Sequence, residues 1–201
     1  MNYSKLEVAI VHSDSFPETI IKAISDEVSD ENVSLTIQEY KNGPMASLEW
    51  FIPTAFALWI LKPYTETILS EMAKDNYQLV KKIILAGANK LIGKGRMVSV
   101  HVITSTNAPQ KARNKYSITF SVLMTLSSKY RIKFLFDDSL SKEELEDYAG
   151  KIAEFMLSNS DDAIMEIIRA NGNIAIMNMG ICSYNSKEKE IIVLDVLKDR
   201  N

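Results

Sequence analysis

Residues 45–63 read MASLEWFIPTAFALWILKP. Between Trp50 and Leu61 no charged side chain occurs, and two tryptophans and Pro53 fall inside the run. A stretch like this needs a cover, which can be the protein's own core, a partner or a bilayer surface. It does not span a membrane as a helix, which takes about 20 apolar residues, because Glu49 and Lys62 bound it too closely. Prolines remove a backbone donor and clash with the preceding turn, so Pro53 and Pro63 mark helix starts or kinks. The stretch therefore predicts a short helix after Pro53 and a long one from about residue 64, within an apolar helical segment over residues 45–95. A helix apolar on all sides belongs in a core. Two other readings stand beside it. Trp50, Phe51, Phe56 and Trp59 could form an interaction surface for self-association or another subunit. The two tryptophans also suit peripheral contact with a membrane surface.

The chain before this run reads as a β-α-β unit over residues 1–44. Residues 6–12 and 33–40 are rich in β-branched side chains, and the second of these alternates apolar with polar residues. Between them Ser15 and Glu18 have the spacing of a capping box, and Ile20, Ile21, Ile24 and Val28 follow at helical intervals.

After the long helix, Gly93 and Gly95 supply a stop signal. Residues 96–201 then read as hairpin, helix, hairpin. Tyr116, Ile118, Phe120, Val122, Met124 and Leu126 alternate with mostly hydroxylated residues. A polar break follows, and the alternation resumes through Tyr130, Ile132, Phe134 and Phe136. This places Lys129, Arg131 and Lys133 on a wet face. Ser141 and Glu144 form a second capping box, Ser160 caps a further helix, and a closing hairpin begins near residue 174.

The expectation is one α+β domain over residues 1–201, with a mostly antiparallel sheet and long helices packed on one face. Hydrophobic residues make up 46% of the 201 and charged residues 24%, as in globular proteins rather than disordered ones. A net charge of −3 argues against general nucleic-acid binding. The single cysteine, Cys182, permits no intrachain disulfide and reads as an inert buried thiol. The N-terminus lacks a signal-peptide pattern, so the default location is cytoplasmic.

No catalytic motif, cofactor fingerprint or metal-ligand spacing is evident. Residues 87–95 imitate a phosphate-binding loop but fail its glycine spacing and lack the Ser or Thr. The two histidines, His12 and His101, lack a third ligand for zinc. The acidic pairs sit where helix starts and turns call for carboxylates. Lys129, Arg131 and Lys133 make a basic stripe suited to anion contacts, with no aromatic residue on its face for base stacking.

The leading functional expectation is therefore a non-enzymatic binding or assembly module acting through protein–protein contacts, including self-association. The runner-up is a small enzyme or binding protein for an anionic molecule. Its site would use His12, Ser13, Asp14 and Ser15, where a strand-to-helix turn places hydroxyls and a carboxylate beside a helix N-terminus. A membrane-surface effector acting through residues 45–63 is third.

Overall fold

The computed structural model describes residues 5–41, 54–61, 73–98, 115–127, 130–158, 160–171 and 178–195. Its elements in chain order are β1 (Leu6–Ser13), α1 (Glu18–Val28), β2 (Val33–Tyr40), β3 (Phe56–Leu61), α2 (Ala73–Leu91), β4 (Tyr116–Ser127), β5 (Tyr130–Asp137), α3 (Lys142–Ser158), α4 (Asp161–Asn171), β6 (Met179–Asn185) and β7 (Glu190–Val193). All seven strands join one sheet in the order β2-β1-β3-β4-β5-β6-β7. This is an α+β architecture.

The sheet is mixed rather than mostly antiparallel. Parallel pairs (β1/β2, β3/β4, β5/β6) alternate with antiparallel ones (β1/β3, β4/β5, β6/β7). Long connections cause this, since a chain that leaves a strand and returns after a helix can re-enter in the same direction. The β-α-β unit expected at the start is present, with β1 and β2 parallel across α1. The expected hairpins are also present, as β4/β5 and β6/β7.

The largest correction concerns the apolar run. Residues 56–61 form β3, hydrogen-bonded to β1 on one side and β4 on the other. A central strand buried on both faces reads as an unbroken apolar string, and periodicity alone does not separate it from a buried helix. Its six residues have a strand's length. The flanking residues 45–53 and 62–72, including Trp50 and Phe51, lie outside the described residues, as does most of the strand expected over residues 97–104.

One face of the sheet carries Leu6, Val8 and Ile10 of β1, Phe56, Leu58 and Ile60 of β3, Phe120, Val122 and Met124 of β4, and Ile132, Phe134 and Phe136 of β5. These pack in one cluster with buried residues from all four helices, such as Ile24, Ile84, Ile152 and Ile168. A chain of aromatic contacts runs through it. Phe16 meets Phe56 at 5.2 Å, Phe120 meets Phe136 at 4.9 Å, Phe136 meets Tyr148 at 4.8 Å and Tyr148 meets Tyr184 at 5.1 Å. The buried Tyr148 hydroxyl donates to the Leu135 carbonyl oxygen at 3.2 Å, so its polar end is satisfied.

Helix α2 lies close to the sheet because residue 87 is glycine. A Cβ there would sit 2.5 Å from Phe120 Cε2 and 3.2 Å from Leu58 Cδ1. The helix ends at Leu91, and Gly93 takes the left-handed φ of 85°. Of the two expected capping boxes, the second forms. Glu144 N–H donates to Ser141 Oγ at 3.2 Å, and Ser141 N–H donates to Glu144 Oε2 at 2.8 Å. These bonds hold the Glu144 carboxyl below its usual range. The first does not form. The N-cap of α1 is Pro17, with no side-chain cap, and Ser15 Oγ lies 3.2 Å from Ser13 Oγ instead.

Candidate functional site

The two edges of the sheet differ. The β7 edge is four residues long, and Lys187, Glu188 and Lys189 immediately precede it. Short, charge-flanked edges resist pairing with another chain. The β2 edge is eight residues long and pairs with β1 in continuous register from Val33 to Tyr40. Among the described residues no strand pairs with its outer side. Its sequence, VSLTIQEY, contains no lysine and no proline. On the helix side Val33 is buried, Leu35 half-buried and Ile37 49% exposed. On the other side Ser34, Thr36 and Gln38 are exposed.

Beside that edge, on the face away from the helices, Ser34, Thr36 and Gln38 of β2, Glu7 and Ala9 of β1, and Trp59 and Leu61 of β3 line a shallow groove of about 210 Å³. Trp59 stands there because β3 alternates. Phe56, Leu58 and Ile60 face the helices, while Ala57, Trp59 and Leu61 face away. The Trp59 indole N–H donates to Thr125 Oγ1 at 2.8 Å, and the Arg131 guanidinium lies 4.7 Å from its ring centroid. Trp59, expected at an interaction surface, is half-buried and held by its own sheet. Phe56, expected at the same surface, is fully buried in the core.

The basic stripe is divided. Lys129 lies outside the described residues. Arg131 is exposed above Trp59. Lys133, expected on a wet face, is only 4% exposed. It stands in register between Leu123 of β4 and Ile181 of β6. Near it Leu135, Ile181 and Leu194 form a second small apolar cluster, with Tyr116, Met179 and Ile192 packed around it. Burial lowers the Lys133 ammonium pKa to about 8, because the charged form loses water. Alternation in the sequence located the two faces of the hairpin but not which of them meets solvent.

Tyr116 is on this second face through a bulge. Ser121 opposes Leu135, and unbroken pairing would put Thr119 opposite Asp137, but Tyr116 holds that place. Its hydroxyl lies 3.0 Å from Ser183 Oγ. Thr54 and Ser121 form another hydroxyl pair in the sheet interior.

At the first strand-to-helix turn, the Ser13 and Ser15 hydroxyls of the expected anion site come together at 3.2 Å, and His12 stands apart from them. His12 and Ser13 are neighbours in a strand, so their side chains take opposite faces. His12 Nδ1 donates to the Ser13 carbonyl oxygen at 3.0 Å. The turn's backbone donors are used internally: Ser13 N–H bonds Ala55 O, Asp14 N–H bonds Tyr40 O and Phe16 N–H bonds Ser13 O. The Tyr40 hydroxyl donates to Thr54 O at 3.0 Å, and burial, with Asp14 nearby, raises its pKa.

The phosphate-loop imitation resolves into structural ion pairs. Lys90 pairs with Glu27 of α1, and Arg96 Nη1 lies 2.6 Å from Asp138 Oδ2. Cys182 is fully buried, and burial pushes its thiol up to about 12, which leaves it protonated and unreactive. Among the described residues no group of three His, Cys, Asp or Glu side chains could hold a metal ion, and no helix is long and apolar enough to cross a membrane.

Comparison with models of protein families, with curated proteins and with solved structures finds no match for the chain. The class the fold defines is an α+β protein with a seven-stranded mixed sheet, helices on one face and one long bare edge among the described residues.

Proposed function

We propose that the protein is a binding or assembly module that acts through protein–protein contacts, and that the contact is strand addition at β2. One observation carries this. The edge is long, in unbroken register and free of lysine, proline and bulges, and it carries an exposed isoleucine. Proteins that do not use such an edge commonly blunt it with those devices. An added strand would gain main-chain hydrogen bonds along the edge, and side-chain contacts on both faces would set its specificity.

The proposal departs from the apolar run as the contact surface, because the described part of that run lies inside the sheet. It also leaves little for a membrane role there, since Phe56, Leu58 and Ile60 are covered by helices. An anionic ligand at His12–Ser15 has weaker support, because the N–H groups of Ser13, Asp14 and Phe16 are already bonded to carbonyl oxygens of Ala55, Tyr40 and Ser13.

The test is Ile37→Lys. The side chain is exposed, so the fold should keep its melting temperature, while the charge on the edge should abolish association. Tagged wild-type and variant chains recovered from cells should differ in self-association or in a bound protein. Identical behaviour, with neither a copy nor a partner lost, would rule the proposal out.

A further inference from the structure

The β2 edge is complementary to itself. Strand geometry first limits which residues can bond outward. The N–H of Leu6 bonds Asn32 O, and the N–H of Asp14 bonds Tyr40 O, so even-numbered residues of β2 direct their backbone groups toward β1. Backbone groups alternate sides along a strand, so Leu35, Ile37 and Glu39 present theirs at the outer edge. In antiparallel pairing, two outward residues must oppose each other to exchange bonds.

We infer that a second copy of this chain occupies the edge, with β2 of the two copies antiparallel about a two-fold axis at Thr36. This rests on the proposed strand addition and names its occupant. In that register Leu35 opposes Ile37 of the second copy, and Val33 opposes Glu39. Leu35 and Ile37 are outward on both sides and exchange both main-chain bonds, while Val33, whose N–H is donated to Asp30 O, accepts one bond from Glu39. The exposed Ile37 covers the half-buried Leu35 across the axis, and does so twice. On the other face Thr36 meets Thr36, and Ser34 meets Gln38. Beyond the strand ends, exposed Glu31, in the turn that enters β2, lies at the same end as exposed Lys41 of the second copy, again twice.

The neighbouring registers are worse. An axis at Leu35 sets Glu31 against Glu39, which is a like-charge pair. An axis at Ile37 leaves one apolar pair, Ile37 with Ile37, where the axis at Thr36 makes two Leu35–Ile37 pairs. Charge and hydropathy thus select the axis at Thr36 from among the registers that the backbone allows.

The test is charge exchange. Sedimentation and light scattering on the wild-type chain, from micromolar to sub-millimolar concentration, should show a dimer. Glu31→Lys gives Lys against Lys in the homodimer, and Lys41→Glu gives Glu against Glu. Each variant alone should associate about tenfold more weakly, for two reversed charge pairs per dimer. Mixing the two variants restores opposite charges at both contacts, so a heterodimer should form with roughly wild-type affinity. Amide exchange supplies a second readout: the Leu35, Ile37 and Glu39 amides should be protected in the dimer and lose protection on dilution.

A wild-type chain that stays monomeric throughout, or a dimer indifferent to both charge changes, overturns this inference. If such a chain still loses a different bound protein on Ile37→Lys, strand addition survives and only the second copy is wrong. If it loses nothing, both fail.

Discussion

The two faces of the sheet are built from alternate residues of the same strands, yet they are filled in different ways. Under the helices stand Phe56, Phe120, Phe134 and Phe136, with the buried His12 in register beside Phe56. On the opposite face stand Trp59, Thr125 and Arg131 in mutual contact, a buried Lys133, and paired hydroxyls of Thr54, Ser121, Tyr116 and Ser183. Burial stabilises the first face almost directly, by about 25 cal/mol per Å² of apolar surface. On the second face every buried polar atom must first recover what it loses by leaving water. The helical face should therefore dominate stability, and the opposite face should control response to conditions.

The largest effect expected is Phe120→Ala, which removes the ring at the centre of the aromatic chain. It should cost about 3–5 kcal/mol in denaturant unfolding. Gly87→Ala probes the same ring from the helix. Alanine would normally gain about 1 kcal/mol over glycine in a helix interior. Here its Cβ meets the ring at 2.5 Å, so overpacking of about 1–3 kcal/mol should outweigh that gain. Shortening the ring with Phe120→Leu should reduce the penalty of Gly87→Ala or reverse its sign. Additive costs in the double variant would mean that helix and sheet are not in close contact there.

Lys133→Met probes the second face. Desolvation lowers the lysine pKa from 10.5 to about 8, which corresponds to about 3 kcal/mol of folded-state penalty when the group is charged in both states. The unfolded chain binds more protons than the folded one between these values, so wild-type stability should rise as pH rises through that window. Below pH 8 the penalty is fully present, and above 10.5 it is gone. Methionine carries no such penalty. At pH 7 the variant should be more stable by about 1–3 kcal/mol, the range known for replacing buried charges by packed apolar groups. The gap should close as pH approaches 10.5. A variant less stable at pH 7, or a gap independent of pH, would show that the lysine's contacts outweigh its desolvation.

Legibility in the sequence divided along the same line. The first parallel unit, both later hairpins and the Ser141–Glu144 box were readable because each rests on local signals, namely alternation, helical spacing and a three-residue cap interval. The apolar run reads as a helix because Phe56–Leu61 is apolar on both faces, which removes the alternation that marks a strand. Lys133 was misplaced for a related reason. Alternation assigns it to the correct face, but whether that face meets water depends on strands and clusters distant in sequence. The bulge that turns Tyr116 toward Ser183 has no local signature in YSITF. The candidate site was not legible at all, because an edge is a property of strand order. Nothing in VSLTIQEY states that β1 pairs on one side of it only.

The smallest effect sharpens the comparison most, because it concerns a contact in which a polar group, a cation and an aromatic ring share one place. Trp59→Phe keeps a ring beneath Arg131 and removes the N–H that Thr125 Oγ1 accepts. Thr125 is half-buried, so water can replace the lost donor, and the cost should be about 1 kcal/mol rather than the larger penalty of a sealed orphan. Arg131→Met removes the cation and keeps the aliphatic cover. The two changes combined should show a coupling of about 0.5–1 kcal/mol, since tryptophan attracts a guanidinium more strongly than phenylalanine does. Raising salt should shrink this coupling little, because the 4.7 Å contact is far inside the Debye length of about 10 Å at 0.1 M. Zero coupling would mean that Arg131 covers Trp59 only as a hydrocarbon stem. The second face would then owe its order to its hydroxyl pairs and to the apolar cluster of Leu135, Ile181 and Leu194.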